Sequence, residues 1–357
     1  MRSAESIATT AEPIGIDSGS SSRDGQGTLI AEPASKGLMT RAFRFVWVDV
    51  FAKTPLEGNQ LAVFPDARGL TDAEMQAIAR ETHLSETTFV LPTDEATDRE
   101  RGFSTRIFAV AFEMPFAGHP TLGTAYVLCR RTGLSEVALS LKAGRIPVRF
   151  VEKDGHSYGE MVQNDPTIGR THDSQAVARA LNVSPDDLDP GYPVQTVSTG
   201  VPFAIVPLRS LAAIRRVSPN PAAMEEYLAT TDAKFFYLIS RETVDPAAAL
   251  HARMIFSGGE DPATGSAAGP AVAWSVLHGL VEPGRTTLIE QGLEIHRTSH
   301  IYAAADLRDA VPTNVRVGGH CVEVIRGELA LDPNPDSRGQ DPRVHRAETP
   351  GSRLEAK

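Results

Sequence analysis

The residues best suited to chemistry lie in one short stretch, GEDPATGSAAG at positions 259–269. Two acidic and two hydroxyl residues stand there among small residues, and the apolar segment 272–277 follows. Asp261 suits an N-cap and Pro262 suits the first helical position, so the pattern predicts a buried helix that begins here. Small residues leave the free N–H groups of a helix start accessible, and the helix dipole favours an anion such as a carboxylate. A capped core helix explains the same residues, and the spacing favours neither interpretation.

A second stretch, FAGHPTLGTA at 116–125, has the same order of turn, proline, hydroxyl, glycine and small residues before an apolar helix. We expect that helix to end near Gly133. Two similar helix starts, one in each half of the chain, suggest a duplicated architecture. If they face each other, both helix dipoles act on one cleft. His119 within this stretch is either a packing histidine, the commoner case, or a proton shuttle.

A third stretch, LSETTFVLP at 84–92, reads as a strand with Glu86 at its entry. A solvated carboxylate is the commoner state of such a residue. The alternative is a carboxyl held beside an apolar strand, where loss of water would raise its pKa toward neutrality. The residues alone favour the solvated state.

These three stretches, together with VDVFAKTPLEGNQLAVFP at 48–65, resemble the signature stretches of the phenazine-biosynthesis PhzF-like isomerase family. The resemblance covers about residues 43–332, with the motifs in the family's order. It implies that Glu86 is the catalytic acid and base. It also implies two sets of further site residues: His119, Asp261 and Ser266 for catalysis, and Gly118, Thr264 and Gly265 for substrate binding.

The activity that this resemblance implies is a cofactor-independent proton transfer that shifts a double bond in a small unsaturated or amino carboxylic acid. Glu86 would act first as base and then as acid. Two alternatives stay open: a racemase or epimerase with non-thiol bases, and a silent metabolite-binding protein of the same fold. Cys129 and Cys321 lie away from both helix starts, so a two-thiol racemase is not expected. Gln60 and the segment 109–112 depart from the family's pattern, which leaves the substrate open.

The composition is that of an ordinary soluble globular protein, with 357 residues, 41% hydrophobic and 22% charged. A net charge of −10 argues against a broad nucleic-acid surface. The chain contains neither a phosphate-binding nor a dinucleotide-binding glycine motif, and its histidines form no ligand pattern, so we expect no cofactor and no metal. We expect a small-acid substrate, no membrane partner and, from the two separated cysteines, a cytoplasmic protein. The family resemblance implies a homodimer.

Many short strands with one strongly apolar helix in each half predict an α+β fold. The resemblance implies two pseudo-symmetric domains of the diaminopimelate-epimerase-like kind, each a curved sheet or barrel wrapped around a central helix. We place these domains at 41–165 and 166–332, with the last strands able to return to the first domain. The segments 1–40 and 333–357 are predicted to be disordered tails, and Met39 is a candidate translation start.

Overall fold

The computed structural model describes residues 40–153 and 155–331. The tails and Met39, for which the sequence predicted disorder and a translation start, lie outside these residues. The described helices are α1 (Asp72–Thr82), α2 (Glu95–Arg101), α3 (Gly118–Thr132), α4 (Ser174–Leu181), α5 (Leu211–Arg216), α6 (Pro221–Ala229) and α7 (Gly265–Leu277). Two short 3₁₀ turns occupy Pro185–Asp187 and Leu293–Ile295.

The strands of the first half are β1 (Arg41–Val50), β2 (Asn59–Phe64), β3 (Glu86–Val90), β4 (Phe103–Ala109), β5 (Glu113–Met114), β6 (Glu136–Leu141), β7 (Gly144–Lys153) and β8 (His156–Val162). Those of the second half are β9 (Thr167–Thr171), β10 (Gln195–Ser198), β11 (Pro202–Leu208), β12 (Phe235–Ser240), β13 (Leu250–Phe256), β14 (Gly259–Asp261), β15 (Thr287–Gln291), β16 (Ser299–Arg308) and β17 (Val311–Leu331).

Eight strands close a barrel around α3. They pair in the order β1, β2, β3, β4, β6, β7, β8 and β17, and β17 pairs again with β1. Every residue of α3 from Gly118 to Cys129 is buried, and the helix packs against strands all round it. A helix that is apolar on all sides needs such an enclosure, because no face of it can be left to water.

The second half repeats this plan around α7. Its strands pair in the order β9, β10, β11, β12, β13, β15, β16 and β17. In both halves the central helix is the crossover between two parallel strands: α3 joins β4 to β6, and α7 joins β13 to β15. The structure therefore shows the duplicated architecture that the two helix starts suggested, and the predicted α+β class is confirmed.

The last strand belongs to both sheets. The early part of β17 pairs with β16 and β8, and its later part, from Cys321 to Leu331, pairs with β1. Residues Arg41–Leu331 form one compact unit, and the domain boundary at 165 within it stays a prediction. Among the described residues, no helix combines the length and apolar character that crossing a membrane requires.

Candidate active site

One cleft of about 740 Å³ collects the residues that the sequence singled out. It lies where the first half and the second half meet at the starts of α3 and α7. All seven residues with a predicted catalytic or binding role line it: Glu86, Gly118, His119, Asp261, Thr264, Gly265 and Ser266. The fold thus brings together side chains that are up to 180 positions apart in the chain, from Glu86 to Ser266. Their roles stay predictions.

The two helix starts face each other across a very short distance. A Cβ atom placed on Gly118 would lie 3.0 Å from the backbone nitrogen of Ser266 and 3.2 Å from the carbonyl carbon of Gly265. Any larger residue than glycine at position 118 would therefore push α3 and α7 apart. The contact also means that the positive ends of both helix dipoles point into the same cleft.

These two helices differ from the other described helices in their caps. The side chains of Thr71, Asp94, Asp173, Ser210 and Asn220 cap α1, α2, α4, α5 and α6. Neither α3 nor α7 has a side-chain cap. The first N–H groups of a helix have no acceptor within the helix, so the N–H groups at these two starts are available to a ligand.

The prediction that Asp261 caps α7 with Pro262 at the first helical position was wrong. The helix begins at Gly265, and Thr264 occupies the N-cap position. Asp261 ends β14 instead, because this short strand pairs with β13 and keeps residue 261 extended. Its Oδ2 accepts a hydrogen bond of 2.6 Å from Thr264 Oγ1. The carboxyl group thus faces the cleft rather than the helix amides.

Glu86 and His119 meet at the first helix start. Glu86 is the first residue of β3, His119 is the second residue of α3, and Glu86 Oε2 lies 3.3 Å from His119 Nε2. The contact lacks hydrogen-bond geometry, and within the described residues neither atom has another hydrogen-bond partner. Two buried polar atoms without hydrogen-bond partners lower the stability of the folded protein. Because these two lie at the edge of a cleft, we expect a bound ligand to supply the missing partner.

Burial sets the charge of both groups. Desolvation, with a smaller effect from the Asp261 carboxylate, raises the pKa of Glu86 to about 8. Desolvation lowers the pKa of His119 to about 3, so its imidazole is neutral. The Glu86 side chain is 14% exposed, so the atoms that line the cleft remain within reach of a ligand. The sequence alone favoured a solvated Glu86, and the structure shows the buried alternative.

Asn59 is a buried residue to which the sequence analysis gave no role. Its Nδ2 donates to Asp261 Oδ1 at 2.8 Å and to the Ala263 carbonyl at 3.0 Å, and it lies 3.2 Å from His119 Nδ1. The Asn59 amide thus holds the Asp261 carboxyl group, the Ala263 carbonyl and the His119 ring close together. The sequence carried one signal for a role of Asn59: a polar residue stands at the start of an apolar strand, directly after Gly58.

Two buried glutamines hold the start of α7. The Gln291 side chain accepts from the Thr264 N–H at 3.1 Å and donates to the Asp261 carbonyl and to Thr264 Oγ1. The Gln163 amide donates to the Gly265 carbonyl at 3.0 Å. Sequence reasoning gave neither residue a role, since a single glutamine carries no local signal for such a contact.

Both cysteines lie outside the cleft lining. Cys129 lies in the third turn of α3 and Cys321 in β17, and both are buried. Burial raises the pKa of Cys129 to about 11 and raises that of Cys321 further. Buried, protonated thiols are poor bases, so the arrangement gives no support to a two-thiol racemase.

Comparisons with known proteins identify the family. The model of the family described as phenazine biosynthesis-like protein matches residues 48–327. An uncharacterized isomerase of Mesorhizobium japonicum is 38% identical over 80% of this chain and 98% of its own length. Trans-2,3-dihydro-3-hydroxyanthranilate isomerase of Pseudomonas chlororaphis is 35% identical over 80% of this chain and 99% of its own length.

A solved structure supports the same assignment. The phenazine biosynthesis protein of the PhzF family from Bacillus anthracis superposes with a TM-score of 0.71 at 28% identity, covering 82% of this chain and 100% of that one. With this fold, this site and these relatives, the chain belongs to the phenazine biosynthesis-like family and is an isomerase.

Proposed function

We propose that this isomerase moves a proton, and with it a double bond, within a small unsaturated or amino carboxylic acid, without a cofactor. The observation that carries the proposal is Glu86: a carboxyl group at the cleft wall, largely withdrawn from water, with a pKa of about 8 and an oxygen that lacks a partner. General acid–base catalysis is most efficient when the pKa of the group lies near the working pH.

The substrate carboxylate would lie at the two uncapped helix starts. Gly118 and Gly265 have no side chain to cover the N–H groups there, and both line the cleft. This position places the rest of the acid beside Glu86 and His119. The neutral His119 and the Asp261–Thr264 pair can then donate to or accept from the polar groups of the substrate.

The chemical step needs only one group that takes up a proton and returns it. The Glu86 carboxylate removes a proton from a carbon next to a double bond. The electron pair of that C–H bond forms the new double bond, and the old double bond is protonated at its far carbon by the same carboxyl group. About one tenth of a group with a pKa near 8 is ionised at pH 7, which suffices for a base that is regenerated in each turnover.

The experiment is to incubate the enzyme with candidate acids in deuterium oxide and to locate deuterium in the product by NMR. Trans-2,3-dihydro-3-hydroxyanthranilate is the first acid to test, since a relative is named for its isomerisation. A shifted double bond with deuterium at the newly protonated carbon is expected. Inversion at one carbon without a shift would make the protein an epimerase, and tight binding without any exchange would make it a binding protein.

A further inference from the structure

Many of the residues that line the cleft are apolar. We define the apolar wall as six of these residues: Phe112, Phe116, Val201, Phe235, Met254 and Phe256. The cleft volume of about 740 Å³ lies within the range of about 300–1,000 Å³ that is common for sites of drug-sized ligands. The cleft therefore has room for more than the carboxylate and the reacting carbons.

Phe112 is the exposed member of the wall. It is 59% exposed and is the only phenylalanine, tyrosine or tryptophan in the exposed class among the residues that the structure describes. Gln76 Nε2 donates hydrogen bonds to the carbonyls of Ala109 and Val110, and these bonds fix the turn that carries Phe112. An aromatic ring held in water at the mouth of a cleft is stabilised when a ligand covers it.

Phe256 approaches the cleft from the strand pair that carries Asp261. A Cβ on Gly258 would lie 2.6 Å from the Phe256 ring, so glycine at this position lets the ring lie against the turn. On the neighbouring strands, the rings of Phe203 and Phe235 are 5.7 Å apart, and both line the cleft. Three wall residues, Phe235, Met254 and Phe256, lie in strands, so the sheet sets their positions.

The charges of the cleft limit what a ligand can carry. Its described lining contains three carboxyl residues, Glu86, Glu260 and Asp261, and neither lysine nor arginine. Glu260 already binds Arg253, at 2.9 and 2.6 Å, behind the cleft. One substrate carboxylate can use the helix starts. A second anionic group would find neither a lysine nor an arginine in the described lining, whose polar side chains away from the helix starts are the carboxyl residues, His83 and Ser85, so its loss of water would be poorly compensated.

We infer that the substrate is a monoanionic carboxylic acid with a large apolar substituent, which packs on the apolar wall while its carboxylate lies at the helix starts. This inference rests on the proposed function for the position of the carboxylate. It narrows the substrate class, because dicarboxylic acids and phosphorylated acids lack a partner for their second charge.

The test is calorimetric binding of straight-chain monocarboxylates from propionate to octanoate, together with benzoate and its dicarboxylate counterpart phthalate. Burial of one methylene group is worth about 0.8 kcal/mol, so the affinity should rise up to about fourfold with each added carbon. Benzoate should bind at least about tenfold more tightly than phthalate. Equal affinities along the series, or phthalate binding as well as benzoate, would overturn the inference.

Variants test whether the apolar wall is the surface that binds the alkyl chain of the ligand. Phe112→Ala and Phe256→Ala should reduce the gain in affinity per carbon. The matched control is Leu307→Ala, which removes another exposed apolar side chain, 40% exposed, outside the cleft lining. Phe112 is already exposed, so its removal does not endanger the fold. An unchanged series in Phe112→Ala and Phe256→Ala alike would exclude the wall as the binding surface.

The same measurements separate this inference from the proposed function. In Glu86→Gln the apolar wall is intact, so the gain in affinity per carbon should persist although turnover is lost. If the affinity rises with chain length but no acid exchanges deuterium, the apolar wall is supported and the proposed isomerisation is contradicted. If deuterium is exchanged but the affinity does not depend on chain length, the isomerisation is supported and the inferred substrate class is contradicted.

Discussion

Asn59 Nδ2 donates to Asp261 Oδ1 across 2.8 Å, and the bond joins residues that are 202 positions apart. The same amide lies 3.2 Å from His119 Nδ1, so a single side chain orients two predicted catalytic groups, one from each half. Hydrogen bonds of this kind, which hold catalytic groups in place without touching the reacting atoms, commonly decide how well a site is organised.

We therefore expect Asn59→Ala to lower kcat by about a hundredfold, the cost of a misplaced catalytic group. The Ala263 carbonyl would also lose its donor, which costs about 1–3 kcal/mol of unfolding free energy. The matched control is Asn220→Ala, which removes the cap of α6 at a cost of about 1 kcal/mol and should leave kcat unchanged. Equal kcat values for the two variants would show that Asn59 serves the fold alone.

Glu86→Gln should keep the fold and ligand binding but lower turnover by about two to four orders of magnitude. The amide has nearly the same shape as the carboxyl group, but it cannot take up and return a proton. Thermal unfolding and calorimetric binding establish that the protein is intact, and steady-state kinetics measure the loss. Glu95→Gln is the control, since Glu95 is 80% exposed and pairs only with Arg99 on the surface of α2. Near-normal turnover in Glu86→Gln would end the assignment of Glu86 as the acid and base.

The dependence of kcat/KM on pH should reflect the pKa of Glu86. The group is a base only when ionised, so kcat/KM should rise with pH and reach half its maximum near pH 8. The Asp261 carboxylate contributes to this raised pKa because it is a like charge. Asp261→Asn removes that charge, and the midpoint should therefore move to lower pH. A midpoint that stays in place would mean that the two carboxyl groups do not interact.

The carboxylate of the ligand should be essential for binding. Each uncapped helix start favours a negative charge by about 0.3–1 kcal/mol when exposed and by up to about 2 kcal/mol when partly buried. With two starts, an acid should bind at least about tenfold more tightly than its methyl ester or its primary amide. The amide is the control for size, because it is neutral but barely larger than the acid. Equal affinity for all three compounds would show that the starts of α3 and α7 do not form an anion site.

A buried ion pair behind the cleft gives a prediction for stability. The fully buried ring of His251 contacts Glu290 at 2.7 Å and Glu294 at 3.1 Å. Burial alone would lower the pKa of His251, but the two carboxylates outweigh it and raise the pKa above the usual value. The imidazolium therefore contributes its full stability below about pH 6.5, the pKa in the unfolded chain, and this contribution is lost as the pH rises through the folded-state pKa.

We accordingly expect His251→Gln to lower the unfolding free energy by about 3 kcal/mol at pH 6 and by clearly less at pH 9. Denaturant unfolding at the two pH values measures both differences. Asn220→Ala is the control, since it removes the cap of α6 without removing a titratable group and should cost the same at both pH values. A loss in His251→Gln that does not change with pH would exclude a charged imidazole.

Much of the site could be predicted from local sequence. The runs of small and apolar residues in the two motifs predict two buried helices, and Gly133, with a φ of +74°, ends α3 as expected. The motif residues themselves, such as Glu86 and His119, were identified by their resemblance to a family. Helix ends, apolar faces and motifs depend on residues that are near one another in the chain, so they can be read without knowledge of the fold.

Other features depend on residues that are distant in the chain. The pKa of Glu86 is set by burial and by Asp261 from the other half, and the link from Asn59 to Asp261 exists only because two halves meet. The cap prediction for Asp261 failed for the same reason, since pairing of β14 with β13 overrides a local preference worth about 1 kcal/mol. The sequence by itself determined which groups are available, and the tertiary structure decided which of them lose water, face one another and share a cleft.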